Sequence, residues 1–288
     1  MAWLDEILSR LVEHPVCGYR PGSTPAAEPT TIAALALLTH GRMPPVEKAL
    51  DWLVPQQSVI GSVGVYERDS TPGWATSFAV LLWTRTNTRS RHQARIDHGI
   101  TWLLGSRGTT MEEESKDLGH NPRLVGWPWA SGTHSWLEPT AYALLALKAA
   151  GLSDHPRARE AVKLLLDRQL PAGGFNYGNT IVLGQELKPH VQPTGVALVA
   201  LADEPGIRER VGRSLDYLRA EVNVGTTSSS LAWALLGLGG YGPLPSGHKT
   251  WLEAATKRTL AHDVSPYKLG LLALADRAGD QPLLKRNA

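Results

Sequence analysis

Six short stretches of this chain are built almost entirely from Ala, Leu, Val and other apolar residues: Pro29–Thr39, Trp74–Trp83, Pro139–Ala149, Pro193–Ala202, Ser228–Leu238 and Pro266–Ala275. A helix that is apolar nearly all round is buried on both sides. Six amphipathic stretches alternate with them: Ala2–Glu13, Pro45–Gln57, Gln93–Leu104, Pro156–Leu170, Gly206–Glu221 and Thr250–His262. In these, charges recur on one face and leucines on the other, at the 3.6-residue period of a half-buried helix. Pro29, Pro139 and Pro193 are read as first helical residues, where a missing N–H costs nothing. Gly41, Gly151 and the pair Gly239-Gly240 stand where glycines end helices. The strongest strand signal, Ile60–Tyr66, is broken by glycine.

The pattern predicts an all-α chain of six helical hairpins, each pairing an outer amphipathic helix with an inner apolar one. Such hairpins stack as an open solenoid or close into a ring, and an open solenoid needs polar end repeats. The last apolar segment, P-Y-K-L-G-L-L-A-L-A, is as apolar as the middle ones. The expectation is therefore a closed α/α toroid forming a single domain over residues 1–288.

Composition narrows the function classes. The net charge of +2 and the scattered Lys and Arg give no basis for nucleic-acid binding. One cysteine, Cys17, excludes an internal disulfide and a multi-cysteine zinc site. The start M-A-W-L-D-E-I-L carries acids where a signal peptide carries bases. No uncharged run is long enough to span a bilayer. A cytoplasmic protein is expected, with peripheral membrane contact left open. Tryptophan is abundant, at 10 residues against 2 phenylalanines. Indoles suit walls that meet both ligand and solvent, and they also fill helix seams.

The links before the inner helices repeat as well. G-Y-R-P-G-S-T-P-A-A-E-P-T, G-W-P-W-A-S-G-T-H-S-W-L-E-P-T and G-G-F-N-Y-G…H-V-Q-P-T each run from a glycine and an aromatic to an acidic or amide residue, Pro and Thr. Gln56 or Gln57, and Gln169, end outer helices ahead of Gly64 and Gly174, while Gly126 leads Trp127 and Trp129, and Gly174 leads Phe175. This arrangement resembles the Gln-Trp-type repeat of squalene–hopene cyclases, oxidosqualene cyclases and protein prenyltransferase β-subunits. The resemblance implies the α/α toroid fold. It does not carry over a catalytic residue, because the Asp-x-Asp-Asp acid of class II cyclases is missing from this sequence. The zinc-site context of the prenyltransferases and the Asp-rich motif of class I synthases are missing too.

In a closed ring the inner-helix N-termini gather at one end. Glu28, Glu138 and Gln192 precede the prolines there. They cap the helices, or they reach inward to a ligand. A carboxyl at the edge of an apolar cavity resists ionisation and can donate a proton. Glu138 is the favoured acid, with Glu28 the second candidate. Trp127, Trp129, Trp136, Tyr142, Trp74, His134, His190 and Gln192 are the expected substrate contacts. No metal site and no cofactor is expected: Pro139 begins a helix, so the four-residue spacing of His134 and Glu138 has no helical meaning. The connection from Gly105 to His134, with M-E-E-E-S-K-D inside it, reads as a lid or as a solvated acidic loop.

The leading expectation is a terpenoid-cyclase or prenyltransferase-like toroid that holds a hydrophobic isoprenoid-type small molecule in a central aromatic-lined cavity. A non-catalytic toroid binding a lipid, peptide or protein, and a carbohydrate-active toroid, are the alternatives.

Overall fold

The computed structural model describes residues 1–67, 69, 71–112 and 118–284. Outer α1 (Ala2–Glu13) leads to inner α2 (Ala27–Thr39), and α3 (Met43–Leu53) leads to α4 (Thr76–Arg85). The pairs α5 (Gln93–Gly105) with α6 (Leu137–Ala149) and α7 (Pro156–Asp167) with α8 (Val191–Leu201) follow. The fifth outer segment is split into α9 (Ile207–Arg210) and α10 (Gly212–Glu221) before inner α11 (Ser228–Gly239). Outer α12 (His248–His262) and inner α13 (Pro266–Asp276) complete six hairpins.

The inner helices form a closed ring in the order α2, α4, α6, α8, α11, α13 and back to α2. Two hydrogen bonds tie the last hairpin to the first. Ser265 Oγ donates to the Tyr19 carbonyl at 2.7 Å at one end, and the His40 imidazole Nε2 lies 3.0 Å from the Ala273 carbonyl at the other. The tightest pair is α8 with α11: a Cβ added at Gly195 would lie 2.4 Å from the Trp233 carbonyl oxygen. Glycine is required there by backbone approach.

The threonine of each of the first four links has a structural task. Thr30 Oγ1 accepts from Cys17 N, Thr76 Oγ1 from Val63 N, Thr140 Oγ1 from Trp127 N and Thr194 Oγ1 from Phe175 N, all at 2.7–3.1 Å. A buried hydroxyl thus satisfies a loop amide that water cannot reach. The two partners are 13 residues apart in three hairpins and 19 in the fourth. The longer link carries a small antiparallel pair, β1 (Ile181–Val182) with β2 (Gln185–Glu186), which the sequence did not signal. The same register aligns Val63, not Gly64, with Trp127 and Phe175. Gln57 and Gln169 link successive hairpins. Gln57 Nε2 donates to the Arg95 carbonyl at 2.9 Å, and Gln169 Nε2 to Ser214 Oγ at 2.8 Å.

The helix starts differ from expectation. The inner helices begin two residues before their prolines, so Pro29, Pro139 and Pro193 occupy the third helical position. Each of the first four N–H groups lacks an intrahelical partner, so proline is tolerated there too. Ile60–Tyr66 forms only isolated bridges, Gln57 with Val63 and Ala26 with Tyr66. The outer segment over Gly206–Glu221 breaks at Val211, next to Gly212. Of the acidic connection, residues 113–117 lie outside the described residues. Its described flanks run beside α7 and the β-pair: Asn121 N donates to Asp167, Val125 N to Glu160, and the Leu118 carbonyl accepts from Ile181 N.

The ring axis is filled. Tyr142 on α6 and Trp233 on α11 belong to helices that are not neighbours in the ring, yet their ring centroids lie 5.9 Å apart. Phe78 on α4 packs on Tyr142 from the other side at 4.6 Å. An internal chamber wide enough for a ligand would leave its walls accessible, but Phe78, Tyr142 and Trp233 are 2%, 3% and 0% exposed. The expected central cavity is occupied at this level by the protein's own aromatic side chains. Among the described residues no helix is long and apolar enough to cross a membrane.

Candidate functional site

One position of the repeat faces the mouth of the ring. It is the second helical residue of α2, α6 and α8, which is Glu28, Glu138 and Gln192. Thr76 makes the same loop bond as Thr30 and Thr140, so Trp74, two residues before it in the 3-10 turn that leads into α4, holds this place in the second hairpin. Tyr267 is the second residue of α13. Residues four positions on share the same helix face. In α4 and α6 these are Phe78 and Tyr142, the aromatic floor beneath the mouth.

The glutamates do not cap their helices. The N-cap residues of α2, α6 and α8 are Ala26, Trp136 and His190, and none makes a side-chain cap hydrogen bond. The carboxyl groups bond sideways to neighbouring hairpins and links instead. Tyr19 Oη donates to Glu28 Oε2 at 2.6 Å, with a further hydrogen bond from Tyr267. Gln192 Nε2 donates to Glu138 Oε1 at 3.1 Å. Both acids are buried, at 7% and 6% exposure.

Burial controls their ionisation. Desolvation pushes Glu28 up to about 7; the Tyr19 hydrogen bond opposes the rise and the charge of Glu138 adds to it. Glu138 is also raised by desolvation, with the Gln192 amide holding it back. Burial and the facing Glu28 carboxylate push Tyr19 and Tyr267 far above the ordinary phenol range, so both remain donors. The mouth thus holds two carboxyl groups that burial keeps from ionising readily, Glu28 up to about 7. Two carboxyl groups at one site can divide acid and base roles when their surroundings set their affinities apart.

The other expected contacts separate into two groups. Trp74 and Trp129 meet edge to face at 4.9 Å and are half-buried at the rim. Trp129 also meets Tyr142 at 6.3 Å. His134 lies over Trp136 at 4.3 Å, and His190 beside Tyr177 at 5.3 Å, on the exposed rim. Trp127 turns away from the mouth. Its Nε1 donates to the Leu103 carbonyl at 2.8 Å, and the Arg157 guanidinium sits 4.1 Å from its ring centre. It is packing between hairpins rather than wall. Tyr142 is floor, closed to solvent. Among the described residues no three His, Cys, Asp or Glu side chains converge as metal ligands. The Cys17 thiol is buried and pushed up to about 12, so it stays protonated.

Sequence reasoning missed Tyr19, Tyr267 and Tyr177. For Tyr19 and Tyr177 the signal was present in the link spacing. Once Cys17, Trp127 and Phe175 are aligned through their threonines, Tyr19, Trp129 and Tyr177 all fall two residues further on. Tyr267 had no such signal: aligning Ser265-Pro266 with the Glu-Pro starts puts it at the threonine, and it takes the glutamate's place only because α13 begins at its proline.

No family model matches the chain. Over 129 residues, 44% of the chain, it is 33% identical to the squalene–hopene cyclase of Alicyclobacillus acidocaldarius, and the match spans 17% of that enzyme. Among solved structures, an α-1,6-mannanase of Salegentibacter sp. HEL1_6, in complex with α-1,6-mannotriose, superposes with a TM-score of 0.60 at 12% identity, covering 98% of this chain and 100% of that one. An endo-1,4-D-glucanase from Vibrio fischeri superposes with a TM-score of 0.60 at 13% identity, covering 96% and 94%. These likenesses establish the α/α toroid fold that the chain shares with a terpenoid cyclase and with carbohydrate-active enzymes. At such identities the structural matches speak for fold alone.

Proposed function

We propose that the protein is an acid–base enzyme whose reaction takes place at the mouth of the toroid, on a neutral glycan stacked against the rim aromatics. The observation that carries this reading is the pairing of a proton-holding Glu28 with Glu138 above a closed aromatic floor. The filled axis argues against enclosing a long isoprenoid, whereas a ligand lying across the mouth needs no chamber. Glycoside hydrolysis requires one carboxylic acid and one carboxylate on either side of the scissile bond. Glu28 is the acid that protonates the leaving oxygen. Glu138, whose ionised form the Gln192 amide favours, is the partnering carboxylate. This exchanges the roles expected from sequence. The mannanase and glucanase that share the fold over nearly the whole chain support the substrate class.

A second reading, an isoprenoid cyclase using Glu28 as its acid, is favoured by the 129-residue likeness to squalene–hopene cyclase. One experiment separates the two. Purified protein is incubated with α-1,6-linked manno-oligosaccharides, β-1,4-linked gluco-oligosaccharides, squalene and geranylgeranyl diphosphate, beside Glu28→Gln and Glu138→Gln variants. Shortened oligosaccharides that vanish in both variants support the glycosidase. A cyclic hydrocarbon lost with Glu28→Gln supports the cyclase. No product from any substrate, with both variants folded, overturns the enzymatic reading and leaves a binding toroid.

A further inference from the structure

A groove of about 960 Å³ opens between the second and third hairpins, beside the mouth. Its walls include Trp74, Trp102, Trp129 and Arg107, with hydroxyls from Thr71, Thr101, Ser106 and Ser131. Trp74 and Trp129 belong to both the groove and the mouth rim, so the two spaces are continuous. Trp102 is held by a close approach: a Cβ on Gly73 would lie 2.5 Å from its ring, so the indole rests directly on bare backbone. Among the described residues the lining contains three indoles, several hydroxyls, one cation and no carboxylate. Flat apolar faces between hydroxyls fit the alternating C–H faces and hydroxyl edges of sugar rings. Indole faces and hydroxyls with no carboxylate among the described lining residues suit a neutral chain. The volume lies near the upper end of the roughly 300–1,000 Å³ typical of ligand pockets, so it accommodates more than one ring.

We propose that this groove is the distal subsite of the mouth, holding the units of a glycan chain beyond the reacting one, with the Trp102 face as its platform. The proposal rests on the glycosidase reading of Glu28 and Glu138. Trp102 touches only remote units, so its contribution is binding that short substrates cannot use.

The test is a length series. Glu28→Gln protein, which does not turn over, is titrated by calorimetry with the manno- and gluco-oligosaccharides from two to six units. The titration is repeated with Trp102→Ala and with Trp102→Phe added. Affinity is expected to rise with length in the parent. Trp102→Ala should lose on the order of tenfold for the longest chains and nothing for the disaccharide, while Trp102→Phe restores most of the loss. An equal loss at every length would mean that Trp102 is merely structural and would overturn the subsite. An unchanged series would overturn it too, while leaving the glycosidase reading intact. If no oligosaccharide of any length binds the parent or is cleaved by the wild type, the glycosidase reading fails and the subsite falls with it.

Discussion

The Tyr19 hydroxyl, from the first link, donates a 2.6 Å hydrogen bond to the carboxyl of Glu28 in the first turn of α2. The same tyrosine offers its backbone carbonyl to Ser265 at the start of the last inner helix. One residue therefore both fastens the ring shut and fixes the acid at its mouth. Ring closure and the candidate chemistry are coupled at this point. Disturbing the seam between the first and last hairpins disturbs Glu28.

Glu28 should make stability depend on pH. Its carboxyl holds a proton more tightly in the folded chain, with the value raised from 4.5 to about 7. The native state then binds more protons than the unfolded state between those values, so stability falls as pH rises through that window. Below pH 4.5 the residue contributes no difference. Glu28→Gln escapes the loss. Thermal unfolding should show the variant equal to wild type at acidic pH, and more stable by on the order of 3 kcal/mol above pH 7. A constant difference across the range would contradict the raised affinity.

Tyr19→Phe tests the hydrogen bond itself. That bond favours the carboxylate, so its removal should move the Glu28 titration upward. If Glu28 is the acid of the reaction, the alkaline limb of the pH–rate profile moves upward with it. A downward shift would mean that the tyrosine serves the protonated form instead.

The threonines of the links should matter more for folding than for chemistry. Thr76→Val leaves the Val63 amide, now bonded at 2.7 Å, buried without a partner. The expected cost is about 1–3 kcal/mol in denaturant unfolding. Thr76→Ser should recover most of it, because the hydroxyl and not the methyl makes the bond. If Thr76→Val were as stable as wild type while Thr76→Ser was destabilised, the methyl and not the hydroxyl would be what matters at this site.

Gly195→Ala probes the closest helix pair. The new methyl would meet the Trp233 carbonyl at 2.4 Å, and backbone cannot rotate away as a side chain can. Forcing α8 from α11 should cost at least about 1–3 kcal/mol. It should also loosen Trp233 from the floor, visible as a change in near-UV circular dichroism. Full native stability would show that the two helices are not in contact.

The architecture was legible because a helix that is apolar all round and its amphipathic partner leave opposite signatures, repeated six times. The last inner segment, as apolar as the middle ones, made closure readable. Glu28, Glu138 and Gln192 were legible as a recurring position. Their bonding was not, since Tyr19 and Tyr267 come from the opposite ends of the chain and meet only because the ring closes. Helix starts were misplaced by two residues because Pro29, Pro139 and Pro193 were assigned to the first helical position. The consequence was large: at the second position a glutamate points into the mouth, whereas at the cap it would bind its own helix. The filled axis was hidden because Phe78, Tyr142 and Trp233 lie on separate hairpins, and their mutual distance is set by the diameter of the ring. Trp127 looked like wall because it sits two residues from Trp129, but its indole is held between hairpins by the Leu103 carbonyl and Arg157, partners the sequence does not place together.

The central claim is that Glu28 carries a proton near neutral pH. Infrared difference spectroscopy across a pH titration reads it directly, through the C=O stretch of a protonated carboxyl. The account predicts a band that persists to about pH 7, disappears in Glu28→Gln and remains in Glu138→Gln. If all carboxyl groups of the wild-type protein are ionised by about pH 5, the ordinary carboxylate range, Glu28 is no acid and the proposed chemistry at the mouth is wrong.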